Sequence, residues 1–487
     1  MSDLPQGWIN MTLAEVGRWG SGGTPKASTS SYYGGTIPWI RSGDLPDGLI
    51  VGHEITLTVS GIENSAAKWV KGGAVLVAMY GATIGRLGIT TYPVTTNQAV
   101  AFIEPSSSID VRYLFENLRF RKPDLVALGQ GGAQPNISQE ILKAQAFPLA
   151  PLREQRRIVA KIDSLTGKSR RARDHLDHIP RLVEKYKQAI LAAAFRGDLT
   201  RDWREAHDDI IPISQRHHSV EKFRKKAVKI VRRKSPLSIP NHQLPVHWGW
   251  LSPDQIADDS SYSLGIGPFG SNLVRTDYRD SGVRLVFVRD VRRGIFGIDD
   301  AKYVTTEKAN ELAPHLVISG DVLITKMGAP PGDTAIYPLG EPPAIITADC
   351  IKLRPHPGLT CAKYLMHCIR DEIVKLQLEA ITKGVAQQKV SLDGFRQLAL
   401  PIPPLEEQDE IVSRIETAFR WIDRLAANAT SARKLIDQLD QSVLAKAFKG
   451  ELVPQDLADE PASALLERIR AERAAALKAK RGRKKAA

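Results

Sequence analysis

Along residues 159–193, apolar and small side chains recur at alternating steps of three and four. The positions are Val159, Ile162, Thr166, Ser169, Arg173 and Leu176, then Ile179, Val183, Tyr186, Ile190 and Ala193. The same rhythm returns at Val412, Ile415, Phe419, Ile422, Ala426 and Ala429, then Ala432, Ile436, Leu439, Val443 and Lys446. One step is missing at the same place in both series. This predicts two long helices, each carrying a heptad seam with one stammer. At 1.5 Å per residue, a helix of about 44 residues is about 66 Å long. Pro180 lies beside the stammer of the first series and predicts a kink there. Gly197 and Gly450, each two residues beyond a phenylalanine, predict C-terminal caps.

Upstream of each series the texture changes. Stretches such as GTIPWIRSGDL, AVLVAMYGATIGRLGITTYPV and TTNQAVAFIEP set short apolar runs between Gly, Pro and Thr, which reads as strands of a mixed α/β domain. YLFENLRFRKPDLVALG and YLMHCIRDEIVKLQLEAI read as helices within those domains.

The chain is a tandem repeat. Residues 129–199 align without a gap on 382–452 with 22 of 71 pairs identical, against about 4 expected by chance from ordinary composition. PLREQRRIV (151–159) answers PLEEQDEIV (404–412), GGAVLVAMYGATIG (72–85) answers SGDVLITKMGAPPG (319–332), and LPQGW (4–8) answers LPVHW (244–248). The implied organisation is an α/β (α+β) domain over 1–150, a central helix over 151–199 and a basic linker over 200–240. A second α/β domain over 241–400, a distal helix over 401–452 and a basic tail over 453–487 follow. A helix this long cannot bury its stripe alone. The two helices are therefore expected to pair as an intramolecular coiled coil with pseudo-twofold symmetry. Arg153, Arg156 and Arg157 of the first copy stand where the second has Glu406, Asp409 and Glu410. That reversal favours pairing between the copies, and exchanging both sets together should be tolerated better than changing one. We take the pairing as antiparallel, although a parallel pair also finds opposite charges.

The net charge of +13 points to a polyanionic partner. The surplus is uneven. Residues 1–150 carry 11 basic and 11 acidic side chains, whereas 216–234 and 468–485 each carry nine basic and one acidic. These two basic segments fall outside the sequence repeat and are expected to touch the phosphates of such a partner or a further protein. No apolar stretch approaches the ~20 residues needed to span a bilayer, and MSDLPQGW lacks the pattern of a secretory signal. Three cysteines without a CxxC fit a reducing cytoplasm. Cys361, His367 and Cys368 have the wrong spacing for known zinc sites, and the cysteines read as buried reduced thiols on a helix.

Motifs for chemistry are sparse. GIGPFG (265–270) fits GxGxxG only formally, and the sequence holds no GxxxxGK[ST], GxSxG or HExxH. What remains is binding chemistry. Arg, Lys, Asn, Gln, Asp and Glu match the donor and acceptor code of base edges. By type, the candidates are Arg41, Asp44, Tyr80, Asn97, Gln98, Gln134 and Asn136 in the first domain. In the second they are Asn272, Arg289, Asp290, Lys326, Gln387 and Lys389.

GSGGTPKASTSSYYGGTIPWIRSGDL (20–45), GATIGRLGI, TTNQAVAFI and the twice-written GGAQPNISQEILKAQAFPLAPLREQRRIV, in this order, resemble the specificity subunit of Type I restriction–modification systems. The second domain departs more, with RLVFVRDV in place of IPWIRSGDL. The resemblance implies two target-recognition domains reading an asymmetric bipartite site on double-stranded DNA, with the helices setting the gap. It further implies docking of two DNA-methyltransferase subunits and two motor-nuclease subunits. S-adenosylmethionine, ATP and Mg would sit on those partners, and this chain would be non-catalytic and bind no cofactor or metal. On the residues alone, a scaffold or repressor without a methyltransferase stays open, as does a degenerate nuclease or methyltransferase.

Overall fold

The computed structural model describes residues 4–129, 136–207, 209–227, 233–292, 294–297, 301–328, 331–383 and 389–485. The chain forms two compact units, residues 1–177 with 430–487 and residues 178–429. The units are interleaved rather than consecutive: the distal helix and tail return the end of the chain to the unit that contains its start.

In the first unit, the Gly- and β-branched-rich segments form the strands that their alternation predicts. Gly17–Ser21, Val100–Pro105, Val75–Ala78, Leu87–Thr90 and Gly48–Ile50 lie side by side in that order. A second sheet runs Ile55–Leu57, Tyr33–Ile40, Val94–Thr96, Trp69–Val70. Val75–Ala78 and Leu87–Thr90 are buried on both faces, which is why they read as unbroken apolar runs rather than alternating ones. Ile9–Thr12 pairs antiparallel with Ala146–Leu149, with Ile9 opposite Leu149. This short ribbon brings the start of the chain to the foot of the central helix.

The second unit repeats the scheme. Its sheets run Leu264–Ile266, Cys350–Leu353, Val322–Thr325, Thr334–Ile336 and Lys302–Val304, Val283–Val286, Ala344–Ile346, Leu316–Val317. Gly249–Leu251 pairs antiparallel with Leu400–Ile402 as the corresponding ribbon.

The distal helix is continuous over Leu405–Lys449. The central one is not: it stops at Asp177 and restarts as Ile179–Phe195, with Pro180 in the new first turn. The ring removes a backbone donor that a continuous helix would need, so the predicted kink is a break. Gly197 and Gly450 adopt φ of +84° and +76°, the left-handed geometry of a helix C-cap.

Within the first unit, Arg173 bonds Asp437 at 2.8 Å and Asp440 at 2.7 Å, and Asp177 meets Arg433. Position rises on one helix as it falls on the other, so the helices run antiparallel there. In the second unit, Lys187 bonds Asp423 at 2.6 Å and lies over the Phe419 ring, while Leu191 packs in one core with Ile411 and Ile415. Most predicted seam positions turn inward or are half-buried. Tyr186, Leu439 and Lys446 do not, the first two at 60% and 56% exposed; Lys187 and Asp440 take the inward places beside Tyr186 and Leu439.

The basic segments also depart from expectation: they begin as one repeated structural element. Ile213 opens the helix Ile213–Ala227, and its N–H donates to His247 O at 3.1 Å. Ala462 opens Ala462–Lys485, and its N–H donates to Gly7 O at 2.8 Å. Both acceptors immediately precede the tryptophan of the repeated LPxxW. Sequence comparison misses this relation because only the apolar anchors are needed to seat the helices: Ile213 in one unit, Leu465 and Ile469 in the other.

Candidate nucleic-acid interface

Each recognition domain stands on a buried polar joint. The Trp8 Nε1–H donates to Glu154 at 3.0 Å, and the Trp248 Nε1–H donates to Glu407 at 2.7 Å. The next residue is a buried glutamine that ties the helix to two neighbouring loops. Gln155 accepts from Asp110 N and donates to Ala150 O; Gln408 accepts from Cys361 N and donates to Pro403 O and Leu359 O. Tyr113 and Tyr364, both fully buried, donate to Pro148 O and Pro401 O. Burial pushes both phenols well above their usual range.

This joint accounts for what PLREQRRIV and PLEEQDEIV share. Glu154, Gln155 and Ile158 are buried, as are Glu407, Gln408 and Ile411. The reversed charges lie on the other side of the turn. Arg157 bonds Asp459 at 2.7 Å, Glu410 bonds Arg414 at 2.6 Å, and Glu406 meets Arg216. Arg153, Arg156 and Asp409 are exposed. The ion pairs these residues make are therefore with other partners than their counterparts in the repeat.

One edge of the first unit gathers the sequence candidates. Asn97 N donates to Ile40 O at 3.1 Å, Met79 N to Ala99 O at 2.8 Å, and Ile137 N to Met79 O at 2.8 Å. These bonds bring Arg41, Asn97, Gln98, Tyr80 and Asn136 to one edge, and Tyr80 and Asn136 form a β-bridge. Asp44 is committed locally: it accepts from Arg41 N at 2.9 Å and from the Arg41 guanidinium at 3.0 and 3.1 Å. It shapes the turn and orients Arg41. Gln98 accepts from the Thr24 hydroxyl, and the loop bearing Thr24 lies so close that a Cβ at Gly22 would fall 1.8 Å from Thr96 O. Gly22 is thus required for the approach. Among the described residues, the buried Asn97 Oδ1 has no hydrogen-bond partner. Gln134 lies outside the described residues.

The second unit repeats the brace with other side chains. Thr347 N donates to Val286 O at 2.9 Å, Lys326 N to Asp349 O at 2.7 Å, and Val390 N to Lys326 O at 3.0 Å. Met327 and Lys389 form the bridge that Tyr80 and Asn136 form in the first unit. Asp290 is 4% exposed and accepts from Phe287 N at 2.8 Å, so it holds the turn as Asp44 does. Arg289 lies 4.6 Å over the Phe287 ring, and Asn272 is exposed in the loop that follows Phe269. Lys326 lies 4.9 Å over the Phe269 ring, and partial burial lowers its pKa. Gln387 lies outside the described residues. Phe269, 59% exposed, was not among the sequence candidates, because an apolar residue carries no donor or acceptor signal.

Much of the basic charge flanking these domains is spent within its own unit. Arg224 bonds Asp259 at 2.6 Å and two backbone carbonyls; Arg233 bonds Asp254 O and Asp258 O; Lys234 meets Asp393. In the tail, Arg468 bonds Glu460 at 2.7 Å, and Glu472 accepts from Ser106 and Ser107. Cys350 and Cys368 are buried, and burial drives the Cys350 thiol up to about 12. Among the described residues, no cluster of side chains could hold a metal ion, and no helix is long and apolar enough to cross a membrane.

The family model for the Type I restriction modification DNA specificity domain matches residues 5–175 and 295–430. The chain is 26% identical over 474 residues to the Type I restriction enzyme EcoBI specificity subunit of Escherichia coli, covering 94% of this chain and 86% of that protein. It is 23% identical to the EcoKI specificity subunit of Escherichia coli K12, over 99% of each chain. Among solved structures, the HsdS subunit of Thermoanaerobacter tengcongensis shares the fold at a TM-score of 0.55 and 20% identity, over 92% of this chain and 98% of that one.

Proposed function

The chain belongs to the Type I restriction-modification DNA specificity family, and from that premise we propose that it reads an asymmetric bipartite target on double-stranded DNA, one half-site per recognition domain. One observation carries this reading: each unit presents the same backbone-braced edge, but with different side chains on it. Arg41, Tyr80, Gln98 and Asn136 populate one edge, and Phe287, Met327 and Lys389 the other. A shared frame with different contents suits two sites of one kind that read different bases.

The chain itself does no chemistry in this proposal. Its recognition domains hold the duplex while methyltransferase subunits flip and methylate an adenine, and S-adenosylmethionine, ATP and Mg reside on those subunits and on motor-nuclease subunits. Docking of the methyltransferase subunits is supported by the outer face of the helix pair in the second unit. Leu182 and Tyr186 are four apart, as are Trp421 and Leu425; each is 43% or more exposed, and each lies one position before an inward residue. In an antiparallel pair that offset puts all four on one side, an apolar stripe suited to a partner helix.

The test is base-modification sequencing of DNA from cells carrying this chain with its modification subunit. One bipartite N6-methyladenine motif is expected, and replacing residues 1–150 with another member's domain should change only one half. No mark in the presence of an active modification subunit would reject the proposal.

A further inference from the structure

Phe269 is an exposed aromatic at the edge where the second unit gathers its polar candidates. Its carbonyl accepts from Asn272 N at 3.2 Å, closing a tight turn in which Gly270 has φ of +57°. Two features fix what the ring can do. Lys326, itself pinned by two backbone hydrogen bonds, covers one face at 4.9 Å from the ring centroid. The residue is nevertheless 59% exposed. An aromatic wedge driven between base steps works by parting and stacking on the bases. A ring capped on one face by an ammonium can make a one-sided apolar contact instead. In the major groove the apolar group that identifies a base is the C5-methyl of thymine. In the first unit the corresponding place in the GGTPKAS loop is taken by Thr24, which is bonded to Gln98.

Resting on the reading above, we propose that Phe269 is a specificity-determining residue that contacts a thymine C5-methyl group in the second half-site, with Lys326 holding the ring in place. Lys326 also places its ammonium beside that base, where a phosphate or a guanine edge lies within reach of a long side chain.

The experiment replaces each thymine of the second half-site in turn by deoxyuracil, which deletes the methyl and keeps the pairing. Binding is measured with the full chain assembled with its modification subunit. At one position, deoxyuracil should weaken binding by the native chain about fourfold, the effect of leaving one methyl-sized apolar group unburied. Phe269→Ala should bind thymine and deoxyuracil equally there, Phe269→Leu should restore part of the discrimination, and the first half-site should respond identically in all three proteins. A second half-site without any A·T pair, no position sensitive to deoxyuracil, or undiminished discrimination by Phe269→Ala would each overturn the proposal. Loss of the bipartite mark altogether would instead overturn the functional reading beneath it.

Discussion

Glu154 and Glu407 hold the same place in the two units and accept the same tryptophan N–H, yet their surroundings differ. Glu407 also accepts from the Thr200 hydroxyl and from Arg204, whose side chain is only 15% exposed. Among the described residues, Glu154 has no cation at hydrogen-bond distance and one of its oxygens is buried without a partner, and burial raises its pKa. The geometry of the joint was duplicated, while its charge compensation was arranged separately in each copy. A buried ion pair is costly to break from one side, whereas a lone buried carboxylate is already costly.

The largest break in this comparison should come from replacing each glutamate by glutamine. Glu407→Gln leaves Arg204 without its counter-charge and should cost about 3 kcal/mol. Glu154→Gln keeps an acceptor for Trp8, removes a desolvated charge, and should change stability by less than about 1 kcal/mol at neutral pH. Hydrogen exchange at the Gly249–Leu251 and Ile9–Thr12 ribbons would read each unit separately; equal losses would dissolve the contrast.

Acidification sharpens the same contrast. His367, 3% exposed, occupies the place of Glu116 in the repeated helix, and burial holds its pKa down at about 4. Its neutral form is the one folding favours, so its contribution is present above pH 6.5 and is lost as pH falls towards 4, to the extent of about 3 kcal/mol. Glu116 goes the other way. Burial raises its pKa above 4.5, so its contribution is present below 4.5 and is lost as pH rises through the raised value. Between pH 6.5 and 4.5, exchange protection should fall around His367 and hold or rise around Glu116. His367→Leu should abolish the difference in the second unit.

The smallest effects are expected along the helices. Arg173→Ala removes two partly exposed ion pairs and should cost about 1 kcal/mol in thermal or urea unfolding. Arg153→Glu with Arg156→Glu should cost less than about 0.5 kcal/mol, because both side chains are exposed. A large rescue of that double variant by reversing Glu406 and Asp409 would restore the pairing role that their sequence suggested.

The fold was legible where pattern is local. Strand texture, the long heptad series, an interruption at Pro180 (expected as a kink, found as a break) and the glycine caps all follow from spacing and backbone preference, and the repeat located two copies of one module. The frame of the candidate interface was legible only by residue type, since Asp44 and Asp290 prove to be turn-formers and Phe269 gave no polar signal. The basic helices escaped detection as a repeat because a few apolar anchors seat them and the rest of their sequence is free to vary.

The sequence by itself determined that two similar modules exist, that each launches a long helix, and which side chains differ between them. Those facts rest on periodicity and on the conformational limits of proline and glycine, which act within a few residues. Only the tertiary structure decided that the helices run antiparallel, that the shared Glu-Gln pair is a buried clamp, and that the reversed charges around it face other partners. Those outcomes depend on which groups lose water together. That is set by contacts between residues hundreds of positions apart, where neither charge nor spacing along the chain carries a direction.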